Sequence, residues 1–274
     1  TTPEGSAVLI PAVSFAATMN APLQALRRPV ICDTDFTGLL DLDSMQSSLK
    51  HSGVGTVIYV NLYGNCVDYD RLRLYTEFFN DNLVVIEDAA QSFGASYRGR
   101  PSGSMGDISV LSFDPTKNFN NYGSGGMILT DDAYTYANLK DLRDNGKYTD
   151  FTTAGTNSKI SESDAACLLV KLRYFEEWQR RRTEIAEYYT DRLYEYVDVI
   201  QPGPNVESAW HKFVIRLDGR TRLQEVLSTK GIETKIHYST PLPDLPIADL
   251  DAFNYNEYRE ASAFTRECLS LPIY

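Results

Sequence analysis

Leu83-Val84-Val85-Ile86-Glu87-Asp88-Ala89-Ala90-Gln91 is an apolar run that ends in acid. A strand that is apolar throughout belongs in a sheet covered on both faces, and here the acids mark its carboxyl end. The next such run, Ile108-Ser109-Val110-Leu111, leads into Ser112-Phe113-Asp114-Pro115-Thr116-Lys117-Asn118, and glycines follow at Gly123, Gly125 and Gly126. Ligands of open α/β sheets bind beyond the carboxyl ends of the strands. Asp88 and Lys117 both fall there.

Outward from this pair the pattern alternates. Strands are predicted over 8–13, 29–32, 57–62, 83–86, 108–111 and 126–129, with helices over 15–26, 42–50 and 69–79. Asp41 or Asp43 is placed to cap the second helix. Downstream, 161–196 lacks Pro and Gly, and Ala165, Leu168, Leu169, Leu172 and Phe175 recur at helical spacing, so one long helix is predicted. Its run Arg180-Arg181-Arg182 reads as a solvated face. After the break at Gln201-Pro202-Gly203-Pro204, strands are predicted over 212–217 and 233–238 and helices over 222–228 and 256–268. The expected fold class is α/β: a three-layer α/β/α large domain with a mixed, mostly parallel sheet over 1–165, then a connecting helix and a small α+β domain over 166–274.

Composition removes other classes. A net charge of −11 and a pI near 4.8 argue against a nucleic-acid surface. The apolar runs are too short to span a membrane, and no secretory leader is visible. Cys32, Cys66, Cys167 and Cys268 are scattered without a Cys-x-x-Cys pair, as in a reduced cytoplasmic protein, and three histidines offer no zinc framework. Both ends, Thr1-Thr2-Pro3-Glu4-Gly5 and Leu269 to Tyr274, read as cut from something longer.

A carboxylate at one strand end and a lysine after the next strand are what a pyridoxal phosphate (PLP) site needs. The lysine holds the cofactor as a Schiff base, and the acid keeps the pyridinium nitrogen protonated. Singly, each residue has a plainer reading: a solvated loop lysine, a strand-end acid, a core Phe15, a turn-capping Ser112, structural histidines at 211 and 237.

In sequence order, Ile10 to Ala21, Pro29 to Asp35, Val60 to Gly64, Val85 to Ala95, Phe113 to Asn118 with Gly123 to Gly126, Gly155 to Glu162 and Trp210 to Phe213 resemble the DegT/StrS-type sugar aminotransferases, fold type I PLP enzymes. The resemblance implies that Lys117 is the cofactor lysine, Asp88 its ring-nitrogen partner and Gln91 a contact of the ring hydroxyl. It implies stacking by Phe15 and phosphate contacts from Ser112. Asn157, with Lys159, would reach the phosphate of the partner subunit in a homodimer with a shared active site. His211 and His237 would approach the substrate. Relatives that dehydrate carry histidine at the lysine position, so Lys117 favours transamination, from an amino acid such as glutamate to a keto group of a nucleotide-linked sugar. The family also has an N-terminal phosphate-gripping turn and a final helix that this sequence does not show. The alternatives are an idle relative serving as a sensor or structural dimer partner, and a PLP enzyme acting on a cyclitol or aminobenzoate precursor.

Overall fold

The computed structural model describes residues 6–50, 53–80, 82–248 and 258–274. In chain order the first elements are β1 (Ala7–Pro11), α1 (Ala17–Gln24), β2 (Pro29–Cys32), α2 (Leu42–Leu49), β3 (Val54–Val60), α3 (Tyr69–Phe79) and β4 (Val84–Asp88). A short hairpin, β5 (Ser96–Tyr97) and β6 (Arg100–Pro101), precedes β7 (Ile108–Ser112), β8 (Gly126–Leu129) and α4 (Ala133–Arg143). Then come α5 (Glu162–Leu172), α6 (Phe175–Leu193), β9 (Asp198–Val199), β10 (Val206–Glu207), β11 (Phe213–Arg216), α7 (Arg220–Thr229), α8 (Arg259–Glu267) and β12 (Cys268–Leu271).

Six strands form the main sheet in the order β2-β1-β3-β4-β7-β8. Its pairs are parallel except β7 with β8, which is antiparallel. Every residue of β1, β2 and β3 is buried, which is why these strands carry no polar–apolar alternation. Asp41 and Asp68 start α2 and α3 by accepting from the Ser44 and Arg71 amides at 2.6 and 3.1 Å. β9, β11 and β12 make a separate antiparallel sheet, while β10 joins the hairpin β5–β6. Among the described residues no helix is long and apolar enough to cross a membrane.

Three expectations need correction. The predicted helix over 161–196 is two helices, broken at Arg173 and Tyr174. The turn lets Phe175 pack edge-on against Phe93 and Phe119, at 4.9 and 5.4 Å between ring centroids. The segment 233–238 is not a strand. Only Lys235 pairs, as a single bridge to Ser270 on the outer edge of β12. Arg182 is not solvated like its neighbours: it is half-buried and donates to the Trp210 and Ile273 carbonyls at 3.2 and 2.9 Å. The start of the last predicted helix, at Asn256, lies outside the described residues.

The C-terminal part is fastened to the main sheet by polar ties. Asp33, just past β2, accepts from the Glu260 and Ala261 amides at 3.1 and 2.8 Å and so caps α8 from outside the helix. Arg216, 4% exposed, bonds Glu260, Glu267 and the Phe36 carbonyl.

Candidate active site

β4 and β7 are neighbours, with Asp88 opposite Val110 near their carboxyl ends. The turn that follows β7 is held on both sides of Lys117. Asp114 accepts from the Thr116 amide and hydroxyl at 2.9 and 2.6 Å, and its carbonyl accepts from the Lys117 amide at 2.9 Å. Beyond the lysine, Asn118 Nδ2 donates to the Phe93 carbonyl at 2.6 Å. Asp88 receives the Ala90 amide at 3.1 Å.

The charges of Asp88 and Lys117 act on each other. Burial raises the Asp88 carboxyl above the usual carboxylate range, opposed by the Ala90 N–H and the Lys117 charge and assisted by Glu87. Burial lowers the proton affinity of Lys117, opposed by Asp88 and Asp114. Half-buried groups of opposite sign thus act on each other beyond the strand ends.

Behind Asp88, on the other face of β4, Glu87 is fully buried. Its Oε1 accepts from Asn61 Nδ2, Ser102 Oγ and the Gly103 amide at 2.9, 2.7 and 2.8 Å. Its Oε2 accepts from the Met105 amide and Ser109 Oγ at 3.0 and 2.9 Å. These bonds tie β3, β4, β7 and the 102–105 loop into one frame under Asp88.

Gln91 is buried; its Oε1 accepts from the Tyr63 amide at 3.0 Å and its Nε2 donates to Tyr238 Oη at 2.9 Å. The Tyr238 ring lies 6.2 Å from that of Phe15, which is 60% exposed and precedes α1 instead of opening it. Ser112 ends β7 and accepts from the Asp114 amide at 3.3 Å.

His211 and His237 line one cleft with Lys212, Lys235 and Ser270. His237 Nδ1 is 2.8 Å from Ser270 Oγ, and Tyr63 Oη donates to the His237 carbonyl. His211 is positioned through Gly64, whose carbonyl accepts from the Ala209 amide at 2.8 Å. Gly64 has φ +93°, and a Cβ there would lie 2.7 and 2.8 Å from the Trp210 and His211 amide nitrogens. Burial pushes the His237 imidazole down to about 4, with help from Lys212, Lys235 and Lys117. Burial also holds His211 well below its ordinary value, with Lys212, Lys117, Arg182 and His237 acting in the same direction. Lys117 acts electrostatically on both rings, and Gln91, three residues past Asp88, bonds Tyr238 beside His237, which links the cleft to the strand ends.

Asn157 and Lys159 are exposed and belong elsewhere in this chain. Asn157 bridges Asp144, and Lys159 Nζ lies 2.5 Å from Asp144 Oδ1. Sequence reasoning gave no role to Glu87, Tyr63, Lys212 or Tyr238. The available signal was adjacency: Glu87, Lys212 and Tyr238 directly neighbour Asp88, His211 and His237, and Tyr63 lies in the stretch Val60 to Gly64.

Sheet and site together define the class: an α/β protein with an amine and a carboxylate that act on each other beyond parallel strand ends. The chain belongs to the DegT/DnrJ/EryC1/StrS aminotransferase family, which it matches over residues 2–274. It is 33% identical over 276 residues to the erythromycin biosynthesis sensory transduction protein EryC1 of Saccharopolyspora erythraea, spanning 98% of this chain and 74% of that one. It is 35% identical over 218 residues to the dTDP-3-amino-3,4,6-trideoxy-alpha-D-glucose transaminase of Streptomyces venezuelae, spanning 78% of this chain and 57% of that one. The crystal structure of Streptomyces venezuelae DesV in complex with a ketimine intermediate superposes with a TM-score of 0.91 at 31% identity, over 98% of this chain and 74% of that chain.

Proposed function

We propose that this protein is a PLP-dependent aminotransferase that moves an amino group from an amino acid, glutamate foremost, to a keto group of a nucleotide-linked sugar. The observation that carries the reading is the half-buried Asp88 and Lys117 pair at the ends of β4 and β7. The residues present fit the cofactor. Asp88 is a carboxylate whose burial calls for a cation, Lys117 is an amine with weakened proton affinity, and Phe15 offers an exposed ring. Lys117 would hold PLP through Nζ, Asp88 would hold its ring nitrogen, and Phe15 would cover its face. Gln91 carries a second amide hydrogen for the ring hydroxyl. Ser112 would take the phosphate, together with Asn157 of a second copy.

Bound PLP supplies an electron sink for the carbon that carries the amine. Lys117 Nζ would take the proton from that carbon and give it up again on the far side of the nitrogen, at the carbon the cofactor contributes, and burial moves its proton affinity in the direction a base needs. A placed base of this kind contributes roughly 10²–10⁴-fold to rate. Asp88 holds a positive charge in place across the site. His211, His237 and the Lys159 of a second copy are the substrate-side groups of this reading. A homodimer with a shared site agrees with exposed Met127 and Ile128 on β8 and Leu169 and Leu172 on α5. The free thiols fit a cytoplasmic setting.

Titration with PLP tests the reading. The wild-type protein should gain a visible absorption band, and borohydride should fix the cofactor to Lys117 by peptide mass. Lys117→Ala should stay colourless, and Asp88→Asn should keep the band but lose about 10²-fold or more in rate. No band at saturating PLP would favour the idle, sensor-like reading that the name of the Saccharopolyspora relative keeps open.

A further inference from the structure

We propose that Lys212 is the cation of a carboxylate-binding subsite, built with His211 and His237 in the cleft beside Lys117, and that it selects a substrate carboxylate. This rests on the aminotransferase reading and adds to it a residue and a ligand class.

The cleft is lined by His211, Lys212, Glu233, Lys235, His237 and Ser270. Lys235 and Glu233 form a pair at 3.3 Å, and both are largely exposed. Lys212 is half-buried, and among the described residues no carboxylate lies within ion-pair distance of it. Its backbone is fixed by donation to the Tyr63 carbonyl at 3.2 Å. The charges acting on it, Arg182, Lys117 and Lys235, are all positive. Burying a cation among cations is unfavourable until an anion enters, so the arrangement stores affinity for one.

The charge count sets the ligand class. His237 and His211 are neutral at pH 7, so they can offer N–H donors without adding charge. Among the described residues that line the cleft, Lys212 is the one cation without a carboxylate partner, and with neutral donors beside it that matches a singly charged, two-oxygen group better than a diphosphate. The carboxylate has two chemical sources: the amino donor, or a uronic acid carried by the acceptor sugar.

The test uses PLP-loaded wild type, Lys212→Met and Lys212→Arg. One arm follows the decay of the visible band against L-glutamate concentration. The other measures binding of UDP-glucuronate and UDP-glucose by calorimetry. Lys212→Met should weaken one carboxylate ligand by about tenfold or more, while Lys212→Arg stays within about threefold of wild type. Loss in the glutamate arm alone assigns the carboxylate to the donor. Loss for UDP-glucuronate with UDP-glucose unchanged assigns it to the acceptor. Unchanged constants in both arms, in a Lys212→Met protein that keeps the wild-type band and melting temperature, overturn the proposal. Equal losses for UDP-glucuronate and UDP-glucose overturn it too, because the cation then serves the diphosphate. Failure of the wild type itself to take up PLP would instead sink the aminotransferase reading.

Discussion

Asp88 and Glu87 are adjacent carboxylates with different environments. Asp88 has the Ala90 amide and feels the Lys117 charge; Glu87 is satisfied by donors from three parts of the chain. Removing Glu87 would orphan several buried donors at once. Glu87→Ala should destabilise the protein by roughly 3–5 kcal/mol, and Glu87→Gln, which keeps one acceptor, by about 1–3 kcal/mol. Urea unfolding of both variants would measure this, and a Glu87→Ala midpoint equal to wild type would rule out the structural role. The placement of Asp88 and Lys117 was legible in the sequence because one ends an apolar strand and the other follows the next, the end of a parallel sheet where ligands bind. Glu87 was visible as an acid but not as a hub, since its partners come from as far away as Asn61 and Ser109. Lys212 and Tyr238 were hidden because their importance comes from approach to residues more than a hundred positions away, such as Gln91 to Tyr238.

Elements were read well where a continuous apolar run or regular helical spacing marks them. β2, α3 and β8 have the predicted limits, and the buried parallel strands declared themselves by continuous apolar runs. Elements decided by tertiary competition were misread. Nothing local marks the break between α5 and α6, because its cause is the aromatic cluster that receives Phe175. Helix α4 went unpredicted because its large side chains, Tyr134, Tyr136 and Leu142, remain exposed and leave no apolar stripe. The turn at Gly64 carries a prediction at this scale. Its left-handed backbone and the nearby Trp210 and His211 amides leave no room for a methyl group. Gly64→Ala should cost at least about 2 kcal/mol in stability and should displace His211. Thermal melting checks the first effect, and a raised KM for the acceptor checks the second. A variant with wild-type melting and kinetics would contradict the packing described.

Across the whole molecule, the histidines set a response to acid. His237 has a folded pKa of about 4, below its ordinary 6.5, and His211 shifts in the same direction. Between about pH 6.5 and 4 the unfolded chain binds protons that the folded protein refuses, so stability is fully present above that window and falls as pH drops through it. Melting temperature should therefore decline from pH 7.5 to pH 5. His237→Gln should decline less steeply, which separates the histidine from lowered carboxylates such as Asp144 that act in the same sense. An unchanged slope in that variant would remove His237 from the account.

The cap that Asp33 places on α8 also bears on biosynthesis. Donor and acceptor are separated by 227 and 228 positions. A nascent chain carries Asp33 out of the ribosome early and must hold it without its helix until translation has passed Ala261. Helix α8 is therefore started by a residue made more than two hundred positions before it, and its cap waits on a contact of very high sequence separation, the kind that slows a fold most.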